Sequence, residues 1–140
     1  MESSRGFSLL ELTVSLALSS ILIASAFATI PALLRKQRLC HETQRVQLLI
    51  DRARARAVIL GLSHSVILDG SHITLYDSFK NFVEMLSLRH GIQLSYSTNI
   101  SQELFLYPTL SATPATLTLT LGVLSSQVVI SLRGRTRIVC

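Results

Sequence analysis

Tryptophan is absent from these 140 residues, cysteine occurs twice, proline three times and glycine six times. Two cysteines cannot staple a disulfide-dense small scaffold. Charge is also sparse: 15% of residues are Asp, Glu, Lys or Arg, against 49% hydrophobic. A disordered chain has the opposite balance. A second long apolar run is missing, which excludes a polytopic transporter. No glycine-rich phosphate loop occurs. His41, His64, His72 and His90 lack metal-ligand spacing with Cys, Asp or Glu and read as surface residues. Asp69, Ser71 and His72 crowd a single turn and cannot supply nucleophile, base and orienting geometry. The sequence therefore predicts no enzyme, no cofactor and no metal.

What the chain has is an apolar N-terminus, the source of its mean hydropathy of +0.48. From Leu12 to Leu34 there is no charged residue. As a helix this run spans about 34 Å, enough to cross a bilayer core. A protein of this size has no interior to surround such a rod, so a membrane helix is favoured over a core helix. A cleaved signal peptide is a rival, since Ala24-Ser25-Ala26 and Ala26-Phe27-Ala28 both fit a small-x-small cleavage pattern. Against it stand a weak n-region, with Arg5 offset by Glu2, and Glu11 at the start of the apolar segment. An acid at that place calls for a function and a partner.

The string Gly6-Phe7-Ser8-Leu9-Leu10-Glu11, opening this helix, resembles the processing site of type IV prepilins and type II secretion pseudopilins. The resemblance covers about the first 30 residues. It implies a leader over 1–6, cleavage between Gly6 and Phe7 by a membrane prepilin peptidase, and N-methylation of Phe7 by the same enzyme. The physics is separable from the name. Cleavage exposes an α-amino group with an ordinary pKa of about 7.7–8.0, largely cationic at neutral pH. Glu11 lies one helical turn away. In a staggered bundle, Glu11 of one subunit meets the Phe7 amine of its neighbour. Two costly charges cancel and the register is fixed.

Arg35, Lys36 and Arg38 follow the apolar run, so the positive-inside rule alone puts that flank in the cytoplasm. The family places the leader there and the head outside, and the family orientation is adopted. Pro31 inside the run predicts a kink.

Residues 7–34 are thus expected as the membrane and filament-core helix, and 35–61 as its amphipathic continuation. Leu39, Val46, Ile50, Ala53, Ala57 and Leu60 recur at helical spacing and predict one buried stripe. The opposite face holds seven bases against Glu42 and Asp51 and reads as solvated. Gly61 ends the helix as a C-cap.

Residues 62–140 predict an antiparallel β head. Ser65–Leu68 and Ser71–Tyr76 flank an Asp69-Gly70 turn. Phe79–Arg89 is ambiguous between helix and strand. Ile92–Ser97, Leu104–Tyr107, Thr116–Leu121, Gln127–Leu132 and Thr136–Val139 read as strands, with a loop between Pro108 and Pro114. Such a sheet buries one face only by packing on the helix stripe. The fold class is α+β and pilin-like: one long N-terminal helix on a small antiparallel sheet.

The order of elements, with Gly134-Arg135-Thr136-Arg137 near the end, is similar to the H-type minor pseudopilins of type II secretion and the FimT-like minor pilins. For some FimT-like members this motif implies DNA binding during uptake, here through Arg135 and Arg137. An Arg-Gly-Arg turn is equally a tight, soluble turn, and no aromatic cluster accompanies it to stack bases. Cys40 and Cys140 outside the cytoplasm are able to oxidise, closing a loop worth about 4–5 kcal/mol, or to remain buried free thiols. Asn99-Ile100-Ser101 is a glycosylation sequon by pattern only.

The reading is a minor pseudopilin of a type II secretion pseudopilus. It is single-pass in a bacterial inner membrane with its head periplasmic, and then part of a periplasmic filament. Its implied partners are other pseudopilins or pilins, the prepilin peptidase/methyltransferase and an inner-membrane assembly platform. A minor type IV pilin for pilus assembly or DNA uptake, and a secreted binding domain with an ordinary signal peptide, are the alternatives.

Overall fold

A computed structural model describes residues 8–97 and 102–140. The chain divides into two compact units, Met1–Arg35 and Lys36–Cys140. One helix, α1 (Leu9–Leu60), supplies residues to both. Gly6, Phe7 and the sequon at 99–101 lie outside the described residues.

In the first unit α1 is apolar and unburied. Its most hydrophobic window has a mean hydropathy of 2.0, and none of that window is buried. Leu9, Leu16, Ile21, Leu22 and Phe27 are all exposed large side chains. The hydroxyls in this stretch bond back to carbonyls of the preceding turn: Thr13 to Leu10, Ser15 to Leu12, Ser19 to Ser15, Ser20 to Ala17 and Ser25 to Leu22. That satisfies them without water, the condition for carrying Ser and Thr through hydrocarbon. The helix continues through Pro31.

The second unit packs the rest of α1 on two four-stranded antiparallel sheets. The strands are β1 (His64–Asp69), β2 (His72–Tyr76), β3 (Phe82–Ser87), β4 (Gln93–Ser97), β5 (Glu103–Leu106), β6 (Ala115–Leu121), β7 (Leu124–Ile130) and β8 (Thr136–Val139). One sheet has the order β3-β2-β1-β5 and the other β4-β6-β7-β8. The antiparallel head is therefore divided. The connection from β3 to β4 crosses between sheets and buries Leu88 and Ile92 on the way. Leu88 N–H then bonds Ser71 O and Leu94 N–H bonds Gly70 O, tying the β1–β2 turn to the second sheet.

Leu39, Val46, Ile50, Ala53 and Ala57 of the expected stripe are buried, joined by Leu49. They meet Val66, Leu68, Ile73 and Leu75 of the first sheet and Leu117, Leu119, Val128 and Ile130 of the second in one core. Burying a side chain such as Ile50 contributes about 1.5–3 kcal/mol. Leu60 departs from the stripe and is exposed, because the helix stops there. Gly61 follows with φ +66°, the left-handed conformation of a helix C-cap.

Strict alternation in β6 places Leu117 and Leu119 inside and turns its half-buried threonines to the other face, as the sequence pattern requires. The first hairpin is shifted by one residue: Asp69 pairs with His72, so the turn is Gly70-Ser71, with positive φ at Gly70. Phe79–Arg89 resolves into strand β3. It is an edge strand with a register shift between Leu75 and Tyr76, which accounts for its irregular polarity pattern.

Candidate functional site

Two places gather the candidate residues: the start of α1 and the seam between α1 and the C-terminal strand. At the first, Glu11 occupies the first turn of the helix and is exposed. An acid in that turn is favoured by the helix dipole, and its carboxylate is open to a partner from outside.

The seam is built on helix positions three and four apart, which share one face. Cys40 lies opposite Cys140 at a Cα–Cα distance of 5.9 Å, their sulfurs in bonding contact across 100 residues of sequence. Next, Thr43 Oγ1 donates to Leu39 O at 2.8 Å and lies 3.0 Å from Ser126 Oγ. Ser126 Oγ in turn lies 3.1 Å from Val139 O. Then Gln47 Nε2 donates to Thr136 Oγ1 at 3.0 Å, and Thr136 Oγ1 donates to Asp51 Oδ1 at 2.9 Å. Residues 40, 43, 47 and 51 thus fasten the four-residue edge strand β8 to the helix. Thr43 and Ser126 are buried, so their bond is made where an unmade one costs about 1–3 kcal/mol.

Beside the seam, Glu42 is fully buried. Arg45 Nη1 stands 2.7 Å from its Oε2. Arg89, in the β3–β4 crossover, places Nε 3.0 Å from Oε1. The second contact pairs charges at close range, but the N–H is poorly aimed and Oε1 lacks a well-formed hydrogen bond. The pair couples the helix to the crossover between the two sheets. Its signal was present in the sequence: Glu42 sits between Leu39 and Val46 at spacings of three and four, on the buried stripe.

The solvated reading of the basic face is corrected in part. Arg35, Lys36 and Arg38 are exposed. Arg52 and Arg56 reach Glu84 of β3 at 3.3 and 3.9 Å. Arg54 Nε, however, is buried, because the helix face that holds residues 47 and 51 continues to it. Two histidine readings change as well. His64 is buried, with Nδ1 3.1 Å from Leu62 O, and His72 is half-buried beside Ser71 Oγ at 2.8 Å. Both sit in strands whose flanking residues alternate into the core. Arg135 and Arg137 are exposed, Arg135 ending the β7–β8 loop and Arg137 within β8 opposite Val129.

Residues 1–27 match the model of the prokaryotic N-terminal methylation motif. The second observation is the fold. The minor pseudopilin EpsH from the type 2 secretion system of Vibrio cholerae aligns with a TM-score of 0.63 at 17% identity, over 73% of this chain and 96% of that one. The type IV minor pilin FimU of Pseudomonas aeruginosa aligns with the same TM-score at 13% identity, over 76% of this chain and 91% of that one. The fold is pilin-like. Curated protein sequences give no match. The pilin-like chain thus joins a prepilin methylation motif to a helix-on-sheet fold of the kind seen in both structures, with an apolar N-terminal helix suited to membrane anchoring.

Proposed function

We propose that this chain is a minor pseudopilin, a structural subunit of a type II secretion pseudopilus. The observation that carries the reading is the coincidence of Gly6-Phe7 and Glu11 with the opening of an apolar, unburied helix within the methylation motif. Cleavage after Gly6 leaves the Phe7 amine, methylated, one turn from Glu11. The chain is held in the inner membrane by α1, with its head periplasmic, until it is drawn into the filament. There Glu11 pairs with the amino terminus of a neighbouring subunit in apolar surroundings, where two unpaired charges would be costly. Pro31 gives the helix a place to bend during that transfer, since it removes one backbone donor. The partners are the other pseudopilins, the prepilin peptidase/methyltransferase and the assembly platform. The alignment with FimU supports a second reading with the same chemistry, a minor type IV pilin.

The test is the amino terminus of the mature protein together with a Glu11→Leu variant. The expected result is an N-methylated chain beginning at Phe7, and a variant that inserts and is cut but does not enter filaments. A mature chain starting at Phe27 or Thr29 overturns the reading in favour of an ordinary signal peptide. Normal incorporation of Glu11→Leu overturns the pairing.

A further inference from the structure

Above the seam, Arg54 of α1, Thr109, Leu110 and Ser111 of the loop after β5, and Leu132, Arg133 and Arg135 of the β7–β8 loop line an open cavity of about 420 Å³. Three guanidinium groups line it and no acid does. Among the described residues none of the three has a carboxylate within 4.0 Å. Arg54 Nε is buried under the loop without a hydrogen-bond partner, so the protein itself does not neutralise the charge of that guanidinium.

The local backbone is shaped to hold Arg54 there. Gly134 is buried and has φ +66°. A Cβ at that position would lie 3.0 Å from Leu110 O and 3.1 Å from Arg54 Nε, so only glycine lets the loop close over the guanidinium. The loop is tied by Gly134 N–H to Ser131 O at 2.8 Å, Ser131 N–H to Arg135 O at 3.0 Å and Arg135 N–H to Ser131 Oγ at 3.1 Å. Leu110, itself at φ +63°, and Leu132 are exposed at the rim.

We infer that this cavity binds an acidic peptide segment: an Asp or Glu side chain between the guanidinium groups, with an apolar neighbour on Leu110 and Leu132. That the segment belongs to another filament subunit rests on the pseudopilin reading; the site itself does not. A planar carboxylate matches the guanidinium fork, and the volume suits one side chain with its flanks. Duplex DNA requires a row of cations along its backbone. The structure instead groups Arg135 with Arg54 and Arg133, and leaves Arg137 outside the lining.

The test uses the full chain in phosphatidylcholine nanodiscs and fluorescence anisotropy with three labelled probes. They are the peptide Leu-Asp-Leu-Glu-Leu, its Asn/Gln counterpart and a short DNA duplex. The acidic peptide is expected to bind at least about tenfold more tightly than the amide version, a gap typical of one charge-assisted pair. Arg133→Ala with Arg135→Ala, both exposed loop positions, is expected to abolish that preference, and Arg137→Ala to keep it. Equal binding of the two peptides overturns the proposal. So does loss of the preference in Arg137→Ala, or duplex binding tighter than that of the acidic peptide. Because the assay needs no filament, failure here leaves the amino-terminal result standing, and the reverse also holds.

Discussion

Removing the link between Cys40 and Cys140 is the most informative perturbation of the head. The two positions are 100 residues apart and their Cα atoms 5.9 Å apart. In the chain-entropy model, closing a loop of that length in the unfolded state stabilises the fold by about 4.7 kcal/mol. That is a large share of the 5–15 kcal/mol that typically separates folded from unfolded domains. The local consequence is as specific. β8 has only four residues and pairs on one side, with β7. Without the sulfur link it is held by those pairings and by the Thr43–Ser126 and Gln47–Thr136–Asp51 contacts. We expect Cys40→Ser with Cys140→Ser, or reduction of the wild type, to lower the urea midpoint of the detergent-solubilised chain by about 2 M at a typical slope of about 2 kcal/mol/M. Amide exchange should accelerate in 136–139 before it does in β6. The reasoning is refuted if both thiols of protein isolated from an oxidising compartment alkylate freely. A reductant that leaves the midpoint and the exchange of β8 unchanged refutes it equally.

Glu42 gives a test in which two substitutions move stability by different amounts. Arg45→Ala with Arg89→Ala strips the buried carboxylate of its cations and is expected to cost about 2–3 kcal/mol, somewhat below the usual loss for a broken buried pair because both arginines are partly exposed. Glu42→Leu removes the charge itself and should cost less in the same denaturation assay; the opposite ranking would falsify the assignment. Asp77 provides a pH dependence. Its carboxyl is held below its ordinary 3.8, first by the Asn81 backbone N–H at 2.8 Å; desolvation opposes this, and the Asn81 side chain and the Phe79 N–H add to the lowering. A depressed folded-state pKa gives stability that is present above the unfolded value and lost as pH falls through the folded one. The difference in stability between wild type and Asp77→Asn should therefore shrink on acidification below about pH 4. A difference that stays constant through that range contradicts the hydrogen-bond account.

Several features were legible because they depend on local chemistry. The uncharged run from Leu12 to Leu34 specifies an apolar helix. The spacing of Leu39, Val46, Ile50, Ala53 and Ala57 specifies its buried face, and the Thr-Leu alternation specifies β6 with its inward leucines. Gly6, Phe7 and Glu11 lie within one six-residue string, so the methylation motif is readable without any tertiary information. Leu60 was misread because a periodic pattern does not say where packing partners end. The first turn slipped by one residue because Asp69 is drawn into the ladder opposite His72, leaving Gly70 to take the positive φ.

Other properties required the chain to fold back on itself. Division of the head into two sheets depends on the β3–β4 crossover, whose apolar residues Leu88 and Ile92 carry no periodic signal of their own. Glu42 has the spacing of the buried stripe, but its pairing with Arg89, 47 positions later in the chain, exists only in the folded head. Cys40 and Cys140 were compatible with a bridge or with free thiols. Their approach follows from β8 returning to the helix, an event no spacing encodes. In the sequence Arg54 is one base on a helix face, and Arg133 and Arg135 flank a turn glycine. The fold gathers them around one cavity, because Gly134 lets the loop close on the helix. Local order came from the neighbours of each residue in the chain, whereas charge pairing, covalent reach and cavities came from contacts between distant residues.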